Sequence, residues 1–505
     1  MPLTAEQAAA VAAVTAAVTN GPREHFLIEA VAGSGKSRTL VEIVRRLVEI
    51  RPTAAILCLQ FNQVVCARLR QQLADHVRTG SVEVHTMHAF GLRMLGRGEL
   101  DPDKAYRHWR RLRPSAAGSR DEWFALRHYL DGVRHRGWLP TLSDRALRPH
   151  TLEMALLDEM LSDRDTLDQE DGIYHCLYYN AVPARQYDLV LVDEVQDLND
   201  ANHAFLRRCV ASQHARSVVC AVGDRAQAIY HFRGANPQAM DRFQVAFAAR
   251  PLALTCCFRC PRRVIAVAQH LNGKIAAAPE AALGIVRIRV MRTGAWPAEL
   301  VRCAEAADDA TMFITRCNAT LLEFVRYAYA VGVPRDLAVR WAAPSVAAQL
   351  REVLTWPFET LDALRDAASA ADVEHAPMDR TLVRLLQTAI ALEGGCADVA
   401  TSPFLRFVQS VLEQPVGPGQ LVLATIHGAK GAECEHIVLH QYNLLGNRAP
   451  SDQDRNLLYI AVTRALRSLT FILTDSMREV PSPFLPLDLI HCAGSLGGGP
   501  HDSRT

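Results

Sequence analysis

The sequence predicts an α/β protein: two domains of parallel sheets flanked by helices, carrying mostly helical insertions. Short β-branched runs alternate with helical patterns, first FLIEAVAG, AAILCLQF, YDLVLVDE and SVVCAVGD, then TMFITR, QLVLATIH and EHIVLHQY. Strands alternating with helices in this way imply doubly wound parallel sheets. The runs are continuously apolar, as expected of strands covered on both faces. They fall in two groups, near 26–222 and 311–474, and 505 residues are too many for one hydrophobic core.

Taken in order, the chain opens on an Ala-rich run, AAAVAAVTAAV, well short of the ~20 apolar residues of a membrane span. No basic segment leading into an apolar core is visible, so the expected location is the cytoplasm of a bacterium, or the nucleus of a eukaryotic cell, and no membrane partner is expected. The stretch 96–181 lacks the strand pattern and reads as helical. Its first half is basic (YRHWRRLRP, VRHRGW) and its second acidic (DEMLSDRDTLDQED); each run is equally compatible with a solvated helix face. A second mostly helical stretch covers 336–415, and the tail CAGSLGGGPHDSRT reads as flexible. Thirteen cysteines are scattered throughout. Cys257 and Cys260 form a CxxC with no second pair or Cys/His cluster beside it, which argues for free thiols rather than zinc. A formal net charge of +1 excludes a bulk polyelectrolyte effect, so any nucleic-acid binding must come from a local groove.

Chemistry concentrates first at AVAGSGKS, residues 30–37, which follows a strand pattern and opens a helical one. This is the arrangement of a phosphate-binding loop, in which glycines let backbone N–H groups converge on phosphate oxygens at a helix N-terminus. Lys36 would reach the β- and γ-phosphates of ATP and Ser37 would ligate magnesium. Ala30 stands where the usual pattern opens with glycine. A second cluster, LVLVDEVQD at 189–197, is a buried strand ending in carboxylates. Asp193 suits magnesium through water, and Glu194 can polarise the attacking water as general base. A strand capped by one acidic residue is ordinary; the run Asp193, Glu194, Gln196, Asp197 is not, and together the two clusters predict ATP hydrolysis.

These residues resemble superfamily 1 helicases of the UvrD/Rep/PcrA type, and within them compact forms such as the helicase part of the F-box DNA helicases, with no F-box present. The motifs stand in the family's order: LTAEQAAAV resembles the adenine-reading Q motif, AVAGSGKSR motif I, LQFNQVVCARL motif Ia, and VHTMHAFG the next DNA-contacting motif. LVDEVQDLN, VGDRAQAIYHFRGA, CCFRCP, TIHGAKGAE and NLLYIAVTRA resemble motifs II to VI. The resemblance implies two RecA-like P-loop NTPase domains. The first would comprise 1–95 and 182–250, with a helical insertion at 96–181. The second would comprise 251–335 and 416–485, with a reduced accessory insertion at 336–415 and a flexible tail at 486–505.

The resemblance also implies roles. Gln7 would read adenine, with Arg38 and Phe258 sandwiching its ring. Ala30, Gly33, Ser34, Gly35, Lys36 and Ser37 would cradle the phosphates, and Glu433 would contact the ribose. Gln227 would sense the γ-phosphate or the attacking water, and Arg259 and Arg464 would act as arginine fingers, each able to contribute roughly 10³–10⁵ to hydrolysis. By itself AVTRALRS reads as carrying a helix-surface arginine. Phe61, Tyr230 and Phe232 would stack on bases of single-stranded DNA, with Asn62, Thr86, His88, Arg233 and His427 near the strand. Without the family, Phe61 and Tyr230 read as ordinary core residues, and Phe232 stands where tryptophan is common. The wording of VGDRAQAIYHFRGA resembles the 3′→5′ branch. The short stretch from Arg259 to Thr425 implies a reduced accessory domain. Expected partners are single-stranded DNA, single-strand/duplex junctions, and a nuclease or repair factor. Two activities follow: a 3′→5′ helicase or translocase, or a nucleotide-gated DNA clamp that unwinds little and acts beside a nuclease.

Overall fold

The structure, a computed structural model, describes residues 2–20, 24–61, 63–78, 80–96, 98–112, 120–139, 151–211, 217–231, 234–292, 294–307, 309–332, 337–355, 358–369, 380–415, 417, 419–440, 451–474 and 484. Asn62, Phe232, Arg233 and the tail 486–505 lie outside the described residues. The chain divides into two compact units, one running to Thr255 and one beginning at Cys256.

The first unit is built on β1 (Phe26–Ala30), β2 (Ile56–Gln60), β3 (Val82–Thr86), β6 (Leu189–Val192), β7 (Val218–Gly223) and β8 (Arg250–Leu254), with a short ladder of β4 (Glu99–Leu100) and β5 (Thr166–Leu167) in the helical insertion. The six long strands form one sheet in the order β3-β2-β6-β7-β1-β8, and every pairing is parallel. Side chains alternate across the sheet. Ile56, Cys58, Leu189 and Leu191 face a core shared with the helices α1 (Ala5–Thr19) and α2 (Lys36–Ile50). Leu57, Leu59, Val190 and Val192 face the opposite core with Phe90, Phe205 and Phe243. Burial on both faces explains why these strands read as unbroken apolar runs.

The insertion has its own core, in which Tyr106, Trp109 and Trp123 pack with Leu156 and Tyr174. Several residues of its basic and acidic halves pair with each other. The Lys104 ammonium is fully buried and donates to Met160 O (3.0 Å), Asp163 O (2.9 Å) and Asp171 Oδ2 (2.8 Å), using all three of its protons. His108 lies between Glu159 (3.0 Å) and Asp163 (2.9 Å), and Arg134 bonds to both Asp168 and Asp171. The helix Asp171–Tyr178 meets the helix Met87–Leu95 backbone to backbone: a Cβ built on Gly91 would stand 1.7 Å from Gly172 O.

The second unit begins with a short pair, β9 (Cys256–Cys257) and β10 (Ala276–Ala277). Its main sheet comprises β11 (Ile285–Met291), β12 (Thr311–Thr315), β13 (Ala338–Trp341), β14 (Gln420–Thr425), β15 (Cys434–His440) and β16 (Ala465–Thr474). The order is β11-β16-β15-β12-β14-β13, again parallel throughout. The stretch 336–415 supplies edge strand β13 and the helices Pro344–Val353, Leu361–Ser369, Arg380–Glu393 and Pro403–Glu413. Leu350, Leu361, Leu382 and Phe404 from those helices share one core with Phe313 and Leu423 of the sheet. Both units therefore carry the RecA-like arrangement, a parallel sheet flanked by helices. Among the described residues no helix is long and apolar enough to cross a membrane.

Candidate nucleotide and nucleic-acid site

In an open parallel sheet the loops at the carboxyl ends of the strands form the binding edge. In the first unit five sequence motifs land there: the phosphate loop after β1, Phe61 after β2, Thr86 ending β3, Asp193 after β6 and Asp224 after β7, while Gln7 stands on α1. The phosphate loop leads straight into α2. Gly33 (φ 68°) and Gly35 (φ 81°) occupy the left-handed region, where only glycine sits without strain. A Cβ on Gly35 would also lie 2.6 Å from Gln7 Nε2. Thr4 caps α1, and Gln7 completes the capping box by accepting Thr4 N–H at 3.1 Å. The other end of the Gln7 amide donates to Ser34 O at 2.9 Å, so this side chain, assigned to adenine from sequence, braces the phosphate loop. Ser37 and Arg38 are exposed on the first turn of α2, and Lys36 is half-buried.

The carboxylates expected from sequence to act in hydrolysis sit on a local distortion. Asp193 N–H still donates to Leu59 O, extending β6 by one ladder bond, and Glu194 then adopts φ 54°. That left-handed conformation in a residue bearing a Cβ is costly and marks a place where position matters more than comfort. Burial, then the neighbouring Glu194 carboxylate, push the Asp193 carboxyl up to about 7, against the pull of Lys36. Glu194 is held in turn. Its Oε2 accepts from Gln196 Nε2, Gln196 Oε1 accepts Asp224 N–H (3.1 Å), and Asp224 Oδ2 accepts from Gln227 Nε2 (2.7 Å). Burial also raises the Asp224 carboxyl, with Lys36 again pulling it down. A continuous chain Glu194–Gln196–Asp224–Gln227 therefore joins the ends of β6 and β7. Sequence reasoning named its two ends and left Gln196 and Asp224 without a role, although both lie in motifs it quoted.

For a magnesium ion the donor set is suitable. Ser37 and Asp193 line one small cavity together with Gln60, Arg68 and Gln72. Hydroxyl, carboxylate and carboxamide oxygens are the hard donors magnesium takes. Ser37 and Asp193 would hold the ion, which when bound would neutralise phosphate charge beside Lys36.

Of the residues assigned to DNA, Phe61 and Tyr230 lie together, their rings stacked at 5.8 Å and 21° and neither fully buried. Among the described residues neither belongs to the two cores that flank this sheet. Thr86 caps the helix Met87–Leu95 through Ala89 N–H (3.2 Å). His88 faces Glu170 of the insertion at 3.4 Å, and His135 approaches the same carboxylate at 3.5 Å.

In the second unit the assigned residues occupy both ends of the sheet. Glu433 and Arg464 immediately precede β15 and β16, at the amino edge, and Cys434 N–H donates to Arg464 O (3.1 Å). Arg259 bonds to Glu433 and to Thr463 O (3.3 Å), so the carboxylate assigned to ribose here pairs with an assigned arginine finger. Arg464 is 1% exposed, donating to Ile460 O (3.0 Å) and Ala432 O (3.2 Å), which rules out the helix-surface arginine that AVTRALRS alone allows. Phe258 is exposed beside Arg259. Cys257 and Cys260 flank that arginine as buried thiols, Cys260 donating to Thr463 O (3.5 Å). His427 follows β14, at the carboxyl edge.

Comparison with known proteins agrees with this geometry. A family model described as an AAA domain matches residues 12–233, and one described as a UvrD-like helicase C-terminal domain matches residues 420–472. The proteins named DNA helicase II of Salmonella typhimurium and of Escherichia coli are each 24% identical over 293 residues. That stretch is 50% of this chain and 39% of each relative, so the chain matches well under half the length of these relatives. The phosphate loop, the carboxylate chain between β6 and β7, and the matches on both RecA-like units together support a helicase of the UvrD/Rep type in superfamily 1.

Proposed function

We propose that the chain is a magnesium- and DNA-dependent ATPase that moves 3′→5′ along single-stranded DNA and opens single-strand/duplex junctions. The observation that carries the reading is the Glu194–Gln196–Asp224–Gln227 chain, which ends three residues before Tyr230 and its stacked partner Phe61. A hydrolytic carboxylate and a pair of aromatic rings thus share one edge of one sheet, linked by a short rigid segment. Lys36 and the phosphate-loop amides would hold the β- and γ-phosphates. Glu194 would take a proton from the water that attacks the γ-phosphorus as ADP leaves. Gln227 would report the γ-phosphate, Arg38, Phe258 and the remaining hydrogen-bonding capacity of Gln7 would recognise adenine, and Glu433 the ribose. Arg259 and Arg464 take the arginine-finger role that the resemblance implies. Phe61 and Tyr230 would stack on bases, with Asn62, Thr86, His88, Phe232, Arg233 and His427 along the strand. DNA repair, recombination or replication restart is the fitting setting, with a nuclease or repair factor as partner.

The test is ATPase activity with and without single-stranded DNA, then unwinding of duplexes bearing a 3′ or a 5′ tail, with Lys36→Ala as the inactive control. Stimulated ATPase and unwinding from 3′ tails are expected. ATPase indifferent to DNA would refute the motor, and unwinding from 5′ tails alone would reverse the polarity. Stimulated ATPase without strand separation would identify a translocase or nucleotide-gated clamp.

A further inference from the structure

Gln60 is the last residue of β2, and its position in an apolar strand is anomalous. Ile56 and Cys58 lie on the same face of β2 and belong to the core beneath α1 and α2. Side-chain alternation therefore points residue 60 toward that layer. The same rule applied to Leu189 and Leu191 in β6 places Asp193 on that face too, and Asp193 N–H bonds to Leu59 O at 3.0 Å, fixing it beside Gln60. Gln60 is 2% exposed, and its Oε1 is buried with no hydrogen-bond partner. Leaving a buried amide oxygen unpaired is costly, so a group waiting for a partner is built into the strand end. Gln60 lines the cavity it shares with Ser37 and Asp193, under Val65, Arg68, Leu69 and Gln72 of α3 (Gln63–Gln72). The space has room for about one water.

We propose that Gln60 is a third magnesium-shell residue, its Oε1 accepting a hydrogen bond from a water of the ion held by Ser37 and Asp193. Magnesium keeps several of its waters when bound by one or two protein ligands, and those waters need acceptors of defined position. A carboxamide oxygen supplies one without adding charge beside Asp193 and Glu194. The inference deepens the ATPase reading and rests on it. Gln60 also adjoins Phe61, so one strand end would sense the ion on one side and the nucleic acid on the other.

The experiment uses the full chain and a fluorescent ADP analogue, with binding followed by anisotropy as magnesium is titrated. Asp193→Asn serves as the positive control. Removing a partner from the outer shell of a metal typically costs about 10–100-fold in metal affinity. Gln60→Met keeps the side-chain length and removes the acceptor. It should raise the magnesium midpoint by about 10-fold while leaving magnesium-free nucleotide affinity as in the wild type. Gln60→Glu keeps the oxygen and adds charge, so its midpoint should equal or fall below that of the wild type. Opposite responses of the two variants support the proposal; a purely structural role would weaken both alike, and that result overturns it. A Gln60→Met midpoint equal to wild type, with Asp193→Asn shifted, overturns the proposal and leaves the ATPase reading standing. No magnesium dependence in the wild type itself would overturn both.

Discussion

Substituting Gln196 by leucine tests whether the carboxylate chain positions Glu194. Gln196 makes two bonds, a partly buried one to the Glu194 carboxylate and a buried one from Asp224 N–H at 3.1 Å. The first is charge-assisted and contributes about 1.5–3 kcal/mol; losing the second strands a buried N–H at about 1–3 kcal/mol. Leucine has similar bulk, and Gly223 leaves it room, since a Cβ there would touch Gln196 Oε1 at 2.5 Å. Folding stability should therefore drop by roughly 2.5–6 kcal/mol, a large share of the stability of a typical domain. The larger effect is on chemistry. Glu194 is held at φ 54° with its carboxylate bonded to this amide, and misplacing a catalytic group by ~1 Å costs about 10²-fold. DNA-stimulated kcat should fall about 10–100-fold while nucleotide affinity stays within about threefold, because Gln196 does not touch the phosphate loop. Steady-state ATPase assays and fluorescent-nucleotide titration separate the two. A Gln196→Leu protein with wild-type kcat would show that Glu194 is positioned by something else.

Three further perturbations are tied to single features. Gly35→Ala forces a Cβ onto φ 81° and against Gln7 Nε2, and should weaken fluorescent-ADP binding at least ~10-fold with a lower melting temperature. Phe61→Ala removes half of the Phe61–Tyr230 stack and should weaken single-stranded DNA binding by about 5–150-fold by anisotropy, at ~1–3 kcal/mol per stacked base, while basal ATPase persists. His440, packed on Trp296 with both ring nitrogens lacking partners, is pushed down to about 4 by burial. Below its ordinary value near 6.5 the unfolded chain takes up a proton that the folded chain refuses, so stability falls between pH 6.5 and about 4 and is unaffected above. This group alone accounts for ~3 kcal/mol across that window, and His440→Phe should flatten the acid limb of urea midpoints by that order.

The sequence made legible what depends on local composition. Strands buried on both faces announced themselves as apolar runs, and glycine spacing with a strand-end carboxylate pair pointed to two segments that the structure places at the carboxyl edge of one sheet. Strands at or near sheet edges were less visible. Val82–Thr86 alternates buried and half-buried residues, and Arg250–Leu254 is mostly exposed and carries Pro251, which breaks the expected pattern. Partner choice was not legible at all. Nothing in DEMLSDRDTLDQED says that Asp171 meets Lys104 and Arg134, since those contacts exist only once three helices have packed. Gln196 and Asp224 were hidden for the same reason. Gln60 left a signal that could have been read, a carboxamide closing an otherwise apolar strand.

The Gly91–Gly172 contact carries a consequence for how this protein can change over generations. With one residue's Cβ position 1.7 Å from the other's carbonyl, neither glycine can acquire a side chain while the helices stay in register. A lineage that loses one must shift these two helices relative to each other. Drift should therefore accumulate in the loops of the insertion and leave this seam untouched, making it a landmark for aligning distant members whose other residues have diverged.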